Sequence, residues 1–409
     1  MIFTKKYIIV VFSALFIFLY SINFMGYREF YPLIIIPVLI LFIIKLRISK
    51  WFLVTQFALI SFLFLYGLMT AHYGYYSYFE ILGRVIFPPL FLLIGYYIAN
   101  LDTDKKTNSL ITLLIMLTGS TIYGFTSLIK SIYTYGSYSN VINALGGRLT
   151  LDFWGTNYIS ATVLNSSVSL GLSAVGILFL KNKKYGIDGG KINRKTLNFF
   201  ILLIFILSLY TSLTLGNRTG LLIAVISFFN VIMLHFKFNM SNLFRLLSIL
   251  MGLYIFKIIF FNLNIFELSS RWESSFIYSR FKSSSIYDNS RFDAWTTIIM
   301  NFNENLLGGR EIELKLNFAH NFWLDVFYDA GLLPLIFLII FTLISLFSLY
   351  KFLNLDISTI YKGLITGLYT AFLLTFLVEP ILQGFVVFFT LYCFMLGIIQ
   401  RKNENISNS

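Results

Sequence analysis

The chain has 409 residues, of which 58% are hydrophobic and only 12% charged, with a formal net charge of +13. A soluble fold of this length could not hide so much apolar surface, so the apolar runs predict a polytopic all-α membrane protein. One cysteine, Cys393, excludes an internal disulfide and a cysteine-ligated metal cluster.

Twelve apolar spans are expected in a single integral membrane domain covering residues 1–409. They lie at about 7–24, 30–45, 51–70, 84–100, 109–130, 156–180, 197–215, 219–235, 246–262, 321–350, 361–378 and 382–400. The first run follows a basic start, MIFTKKY, but no small-x-small cleavage site follows it, so it reads as a retained helix. Alternate ends of the spans hold Lys5, Lys6, Lys45, Arg47, Lys50, Lys105, Lys106, Lys181, Lys183, Lys184, Lys191, Arg194, Lys195, Lys237, Arg245, Lys351, Lys362, Arg401 and Lys402. That is nineteen of the 31 basic residues, so the positive-inside bias places these ends and both termini in the cytoplasm. The positive charge is then an orientation signal toward anionic headgroups, not a nucleic-acid footprint. The basic, glycine-containing stretch KNKKYGIDGGKINRK reads as a cytoplasmic anchor and linker.

Two outer loops stand out. One runs over about 131–155 and ends GGRLTLDFWGTN; the other, about 263–320, is the longest non-spanning segment. Inside the second, DNSRFDAWTTIIMNFNENLLGG predicts a short amphipathic helix with Ser290 as N-cap and Asp293 three residues on. Phe292, Trp295, Thr296, Ile299 and Leu306 share its apolar face, and Gly308 and Gly309 end it. Such a helix lies on the outer membrane surface or over a cavity, or it merely caps the bundle.

Ionisable residues in a membrane chain are costly and therefore informative. Arg148, Arg218, Arg291, His320, Asp325, Asp329 and Glu379 fall at or near the expected outer face. Arg218, in GNRTGLL, stands where the eighth span starts inward, with Asn217 as its cap. Free backbone N–H groups and the helix dipole beside a guanidinium suit a phosphate or pyrophosphate; snorkelling toward headgroups is the plainer alternative. His320, in AHNFWLDVFYDAG, opens a further inward helix, whose positive end favours a neutral imidazole able to act as general base. A satisfied interfacial histidine is the alternative. Gly331 lies eleven residues on, three turns along the same face, where it would let a helix or lipid chain pass. Asp325 and Asp329 share a face and read as structural partners of outer-loop basic residues. His72 and His235 lie near opposite membrane ends and cannot join His320 in a zinc site. The chain has no phosphate loop, no GxGxxG turn and no GxSxG elbow.

Taken together, these residues resemble the O-antigen ligase and O-antigen polymerase family of bacterial membrane glycosyltransferases. Arg218 to Leu222 fits that family's R-x3-L element, and His320 to Gly331 its H-x10-G element, with Asn321 and Leu324 beside the histidine. RLTLDFWGTNYIS resembles its Arg…Phe-Gly-x-x-Asn-Tyr element, carrying Arg148 and Asn157, with Thr156 in place of a proline. SRFDAWTTIIMNFNENLLGG resembles its Arg-x3-Trp…Gly-Gly element. The resemblance covers residues 140–340. It implies glycosyl transfer, without metal or nucleotide, from a polyprenyl-pyrophosphate-linked oligosaccharide to a hydroxyl of an acceptor glycan, at the extracytoplasmic side of the cytoplasmic membrane. His320 would be the base and Arg218 the pyrophosphate ligand, with Arg148, Arg291, Asn157 and Asn321 binding substrate. Chain-length regulators and flippases would be partners beside membrane lipid. Repeat-unit polymerase is the expected activity; ligase to lipid A core or another acceptor is the alternative, and a flippase of lipid-linked sugars is a reading of another class.

Overall fold

The computed structural model describes residues 5–24, 48–102, 108–145, 148–155, 157–180, 194–235 and 290–407, with isolated positions elsewhere. The expected spans 30–45 and 246–262 and the first part of the long loop, 263–289, lie outside them apart from a few such positions. In chain order the elements begin with α1 (Lys5–Ser21), α2 (Lys50–His72), α3 (Tyr78–Asn100), α4 (Asn108–Tyr135) and α5 (Tyr138–Leu145). A hairpin follows, β1 (Leu149–Leu151) and β2 (Tyr158–Ser160), then α6 (Ala161–Ser173) with a 3-10 extension (Ala174–Phe179), α7 (Arg194–Thr214) and α8 (Arg218–His235). After these come α9 (Ser290–Met300), a 3-10 turn (Phe302–Asn305), α10 (Phe322–Ala330), α11 (Leu332–Leu353), α12 (Thr359–Val378), α13 (Ile381–Gly384) and α14 (Val386–Ser407). Among the described residues seven helices are long and apolar enough to cross a membrane: α2, α3, α4, α6 with its extension, α7, α11 and α12. This is the pattern of a helical membrane protein.

The core is built around α14. Every residue from Val386 to Gln400 is buried, as expected of a helix apolar on all sides. Helices α3, α11 and α12 pack on it. The approach of α3 is set by small residues: a Cβ at Gly95 would collide with the Phe394 carbonyl, and one at Gly397 with the Leu92 carbonyl. Hydroxyls add interhelical bonds. Ser345 of α11 lies 2.9 Å from the Tyr369 hydroxyl of α12, and Tyr392 of α14 donates to Tyr369 over 3.2 Å. One end of the bundle is rich in basic side chains, where Lys402 pairs with the nearly buried Asp102 at 2.8 Å. The opposite end carries the helix breaks and the site.

At that end the structure departs from the sequence pattern in two places. The expected span 156–180 starts as a β-strand, because 149–160 folds into an antiparallel hairpin with Leu149 opposite Ser160. Helix α4 supplies the partners that the outer edge of β1 lacks. The Ser131 and Ser127 hydroxyls accept from the Leu151 and Phe153 N–H groups at 2.8 and 3.2 Å. The Lys130 ammonium donates to the carbonyls of Asp152, Phe153 and Gly155 at 2.8, 3.1 and 2.6 Å.

The second departure is in 321–350, which is two helices. Gly331 breaks it at φ 84° and ψ −166°, a conformation open essentially to glycine alone. His320 and Gly331 therefore do not share a helix face, and Gly331 is no passage for a lipid chain. Its backbone is packed against Leu306, Leu307 and Gly308, and a Cβ at Gly308 would in turn meet Ala330. The Leu332 N–H donates to the Leu306 carbonyl (2.9 Å), and the Gly309 and Arg310 N–H groups donate to the carbonyls of Asp329 and Tyr328 (both 3.1 Å). Asn305, fully buried, donates to the Phe327 and Tyr328 carbonyls. These bonds satisfy the end of α10 and fasten the 306–310 turn to the break.

Gly331→Ala combines strained backbone, at about 1–3 kcal/mol, with a steric clash. It is expected to lower the melting temperature in detergent by several degrees. Gly384→Ala, where a Cβ meets nothing within 4 Å, should leave it unchanged; equal melting of the two variants would remove this account of the break.

Candidate functional site

A cavity of about 360 Å³ opens among Arg148, Gly216, Asn217, Arg218, Thr219, Ser290, Arg291, Leu316, His320 and Glu379. Five ionisable residues singled out in the sequence, far apart along the chain, thus line one space. Each is delivered by a different local device.

Arg218 is the first residue of α8, and only Leu215, Gly216 and Asn217 separate it from α7. Helix α7 ends in a Schellman motif: the Gly216 N–H donates to Leu213 and the Asn217 N–H to Ser212, with Gly216 at φ 62°. Asn217 then starts α8 by accepting from the Thr219 N–H at 2.9 Å. This three-residue junction turns the chain back sharply and leaves the first turn of α8 at the cavity wall. Arg148 enters at the base of the hairpin and donates to the Leu215 carbonyl at the end of α7 (3.4 Å). Hairpin and α7–α8 junction are therefore tied together beside the cavity.

Arg291 stands on the first turn of α9. Helix α9 packs on the protein through one side and leaves most of its expected apolar face exposed. Ala294 and Ile298 are buried, while Phe292, Ile299 and Leu306 are 53%, 64% and 42% exposed. The docked side is chosen by tertiary contacts. Ile298 joins Phe327 and Tyr328 in a small core, and the Trp295 indole donates to the Ala319 carbonyl at 2.7 Å. The helix also stops at Met300 rather than at Gly308 and Gly309, which belong to the turn on Gly331. Trp295 follows Arg291 by one helical turn, so the bond to Ala319 sets Arg291 close to His320.

His320 does not open the helix. It precedes the N-cap Asn321 and has φ 56°, left-handed for a side chain with a Cβ. Its Nδ1 lies 3.8 Å from Glu379 Oε2, and Glu379 Oε1 lies 3.6 Å from Arg291 Nη2. Glu379 is almost buried, at the end of α12 just before Pro380. It is the fifth ionisable residue of the cavity. The sequence pattern places it among the costly polar residues and assigns it no part; the signal was a carboxylate ending an otherwise apolar span, which must find a cation.

The remaining expected site residues lie elsewhere. Asn157 is exposed in the hairpin, where its carbonyl accepts from the Asp152 N–H (2.8 Å), and it does not line the cavity. Asn321 is buried and serves as a cap: its side chain accepts from the Leu324 N–H (3.2 Å) and donates to the Leu377 carbonyl (3.4 Å). Asp329, fully buried, pairs with Arg310 at 2.9 Å and accepts from Tyr66 (2.8 Å) and Gln383 (2.7 Å). That is the loop pairing expected of it. Burial works against the Arg310 charge, but Asp329 outweighs it and holds the guanidinium above its usual pKa. Asp325 instead binds backbone N–H groups.

Chemically, three guanidiniums and one carboxylate leave the wall with an excess of positive charge beside an imidazole. Guanidiniums converging at a helix N-terminus suit a multiply charged oxyanion, and an imidazole against a carboxylate suits proton transfer. Compared with known proteins, the chain matches no family model and no curated protein.

Glu379 competes with any bound anion for Arg291. Two charges at 4 Å interact by about 1 kcal/mol in water and about 4 kcal/mol near a protein surface. Glu379→Gln should therefore tighten inorganic pyrophosphate binding, measured by calorimetry, by roughly tenfold. Unchanged or weaker binding would contradict the cavity as an anion site.

Proposed function

We propose that this chain polymerises polyprenyl-pyrophosphate-linked oligosaccharide repeat units into a surface polysaccharide. On this reading it spans a bacterial cytoplasmic membrane twelve times with both termini inside, and its cavity faces out. The observation that carries the proposal is the convergence of Arg148, Arg218, Arg291 and His320 on one cavity, with Glu379 against the histidine. The resemblance to the O-antigen ligase and polymerase family supplies the substrate class.

The chemistry follows from the charges. The donor is a sugar joined at its anomeric carbon to a pyrophosphate, itself carried on a long apolar chain. The arginines hold the pyrophosphate and stabilise the negative charge that grows on it as the bond to the anomeric carbon breaks. An acceptor hydroxyl attacks that carbon from the opposite side. With Nδ1 of His320 turned toward Glu379, Nε2 is left to take the hydroxyl proton, and the imidazolium that forms is stabilised by the carboxylate. The new glycosidic bond forms, polyprenyl pyrophosphate departs with the electron pair, and His320 returns its proton to water. Binding, positioning and one proton acceptor suffice for this displacement.

Purified protein in liposomes, given lipid-linked repeat units, is expected to produce a ladder of lengthening products. Single transfer to a different acceptor would instead mark a ligase, and no product at all would sink the proposal. His320→Ala should slow elongation by about two to four orders of magnitude. Arg218→Lys should cost at least about tenfold, because an ammonium cannot reproduce the paired contacts of a guanidinium. Wild-type rates in either variant would remove that residue from the mechanism.

A further inference from the structure

Asp325 is fully buried one turn inside α10, yet its carboxylate turns back out of the helix. Oδ1 accepts from the Ala319 N–H at 2.7 Å, and Oδ2 accepts from the Asn321 N–H at 3.0 Å. The N–H of His320 lies between them in the chain. The peptide N–H groups on either side of His320 thus close on one carboxylate. Such a concave nest requires alternating backbone conformations, and the middle residue, His320, is in the left-handed region at φ 56°. Left alone, a side chain with a Cβ disfavours that region.

We propose that Asp325 is the positioning residue for His320: its carboxylate holds the 319–321 backbone in the left-handed turn that presents the imidazole to Glu379 and the cavity. The proposal rests on the assignment of His320 as proton acceptor and adds how that group is aimed. It also gives the buried carboxylate a specific task. Asp329, four residues on, ties helices and loop together through side chains, whereas Asp325 acts on the backbone of one residue. An asparagine could not replace it. The two carboxylate oxygens each face a donor, and an amide of the same shape would set its own NH2 against one of them.

The test uses the full chain in detergent and Asp325→Asn, which preserves side-chain volume. With imidazole-13C-labelled histidine there are three histidine signals, and His320→Gln assigns the relevant one. Asp325→Asn is expected to shift or broaden the His320 signal while those of His72 and His235 stay in place. In the elongation assay it should lower kcat by tenfold or more with the donor KM within about twofold, because the arginines are untouched. A wild-type His320 signal in a folded Asp325→Asn protein would overturn the proposal, as would an unchanged kcat. If Asp325→Asn does not fold, His320→Gly and His320→Ala decide. A left-handed residue 320 makes the glycine variant melt higher, and equal melting temperatures would overturn the proposal. The spectral and melting readouts need no substrate, so they stand even if the elongation assay gives no product.

Discussion

A peptide group in apolar surroundings must find its hydrogen bond within the protein, and that demand shapes the end of the bundle where the cavity lies. Long helices satisfy themselves. A chain that is to present side chains from several directions around one space must break its helices, and each break exposes donors and acceptors. Here the breaks are answered one by one. Asn217 and Asn321 cap the starts of α8 and α10, Asn305 takes the last carbonyls of α10, and Lys130 gathers three carbonyls at the hairpin tip. Asp325 takes the N–H groups of Ala319 and Asn321. The polar residues at this end complete the backbone, face the cavity or, as Asn217 and Arg148, do both, and the backbone bonds place the residues that face the cavity.

Electrostatics imposes the complementary limit. Guanidiniums drawn together repel one another, and burial raises the cost. Glu379 offsets part of that repulsion through Arg291 and offers its other oxygen to His320. Among the described lining residues one carboxylate stands against three arginines, a balance that suits the multiply charged anion proposed for the cavity. The same carboxylate thus tunes both functions proposed for the cavity: it weakens the hold on the leaving group and supports the protonated imidazole. In the transfer proposed here, which ends in release of polyprenyl pyrophosphate, both effects would favour turnover.

Much of this was legible in the sequence because membrane chains advertise their exceptions. The apolar runs marked the helices, and arginines and a histidine at their ends marked a site. What could not be read was how the backbone bends between them. A helical wheel run through AHNFWLDVFYDAG puts His320 and Gly331 on one face, but hydropathy does not distinguish a continuous helix from two helices meeting at a glycine. The hairpin was hidden because its partners, Ser127, Lys130 and Ser131, sit on a helix some twenty residues earlier. Which residues of α9 pack on the protein was not legible because both sides of that helix carry apolar residues; the tertiary bond from Trp295 and the burial of Ile298 decide. Asn321 was read as a ligand since it neighbours His320; a residue three before a backbone N–H at a helix start is as readily a cap.

The sequence elements that carry the family resemblance acquire a physical reading from this division of labour. In Arg-x3-Trp, Arg291 faces the cavity and Trp295, one turn on, fixes the helix to the residue before His320. In H-x10-G, His320 supplies the imidazole, and Gly331 ends α10 in a backbone conformation that lets Gly308 pack against it. Two elements that look separate in the sequence therefore meet: Gly308, after Arg291, packs against the chain at Ala330 and Gly331, after His320. The spacing in each element measures how far the chain must travel from a chemical group to the point that anchors it. Arg218 and Leu222 differ in this respect, since Leu222 is 51% exposed on the outside of the bundle, and the anchor for Arg218 is the Gly216–Asn217 junction just ahead of it.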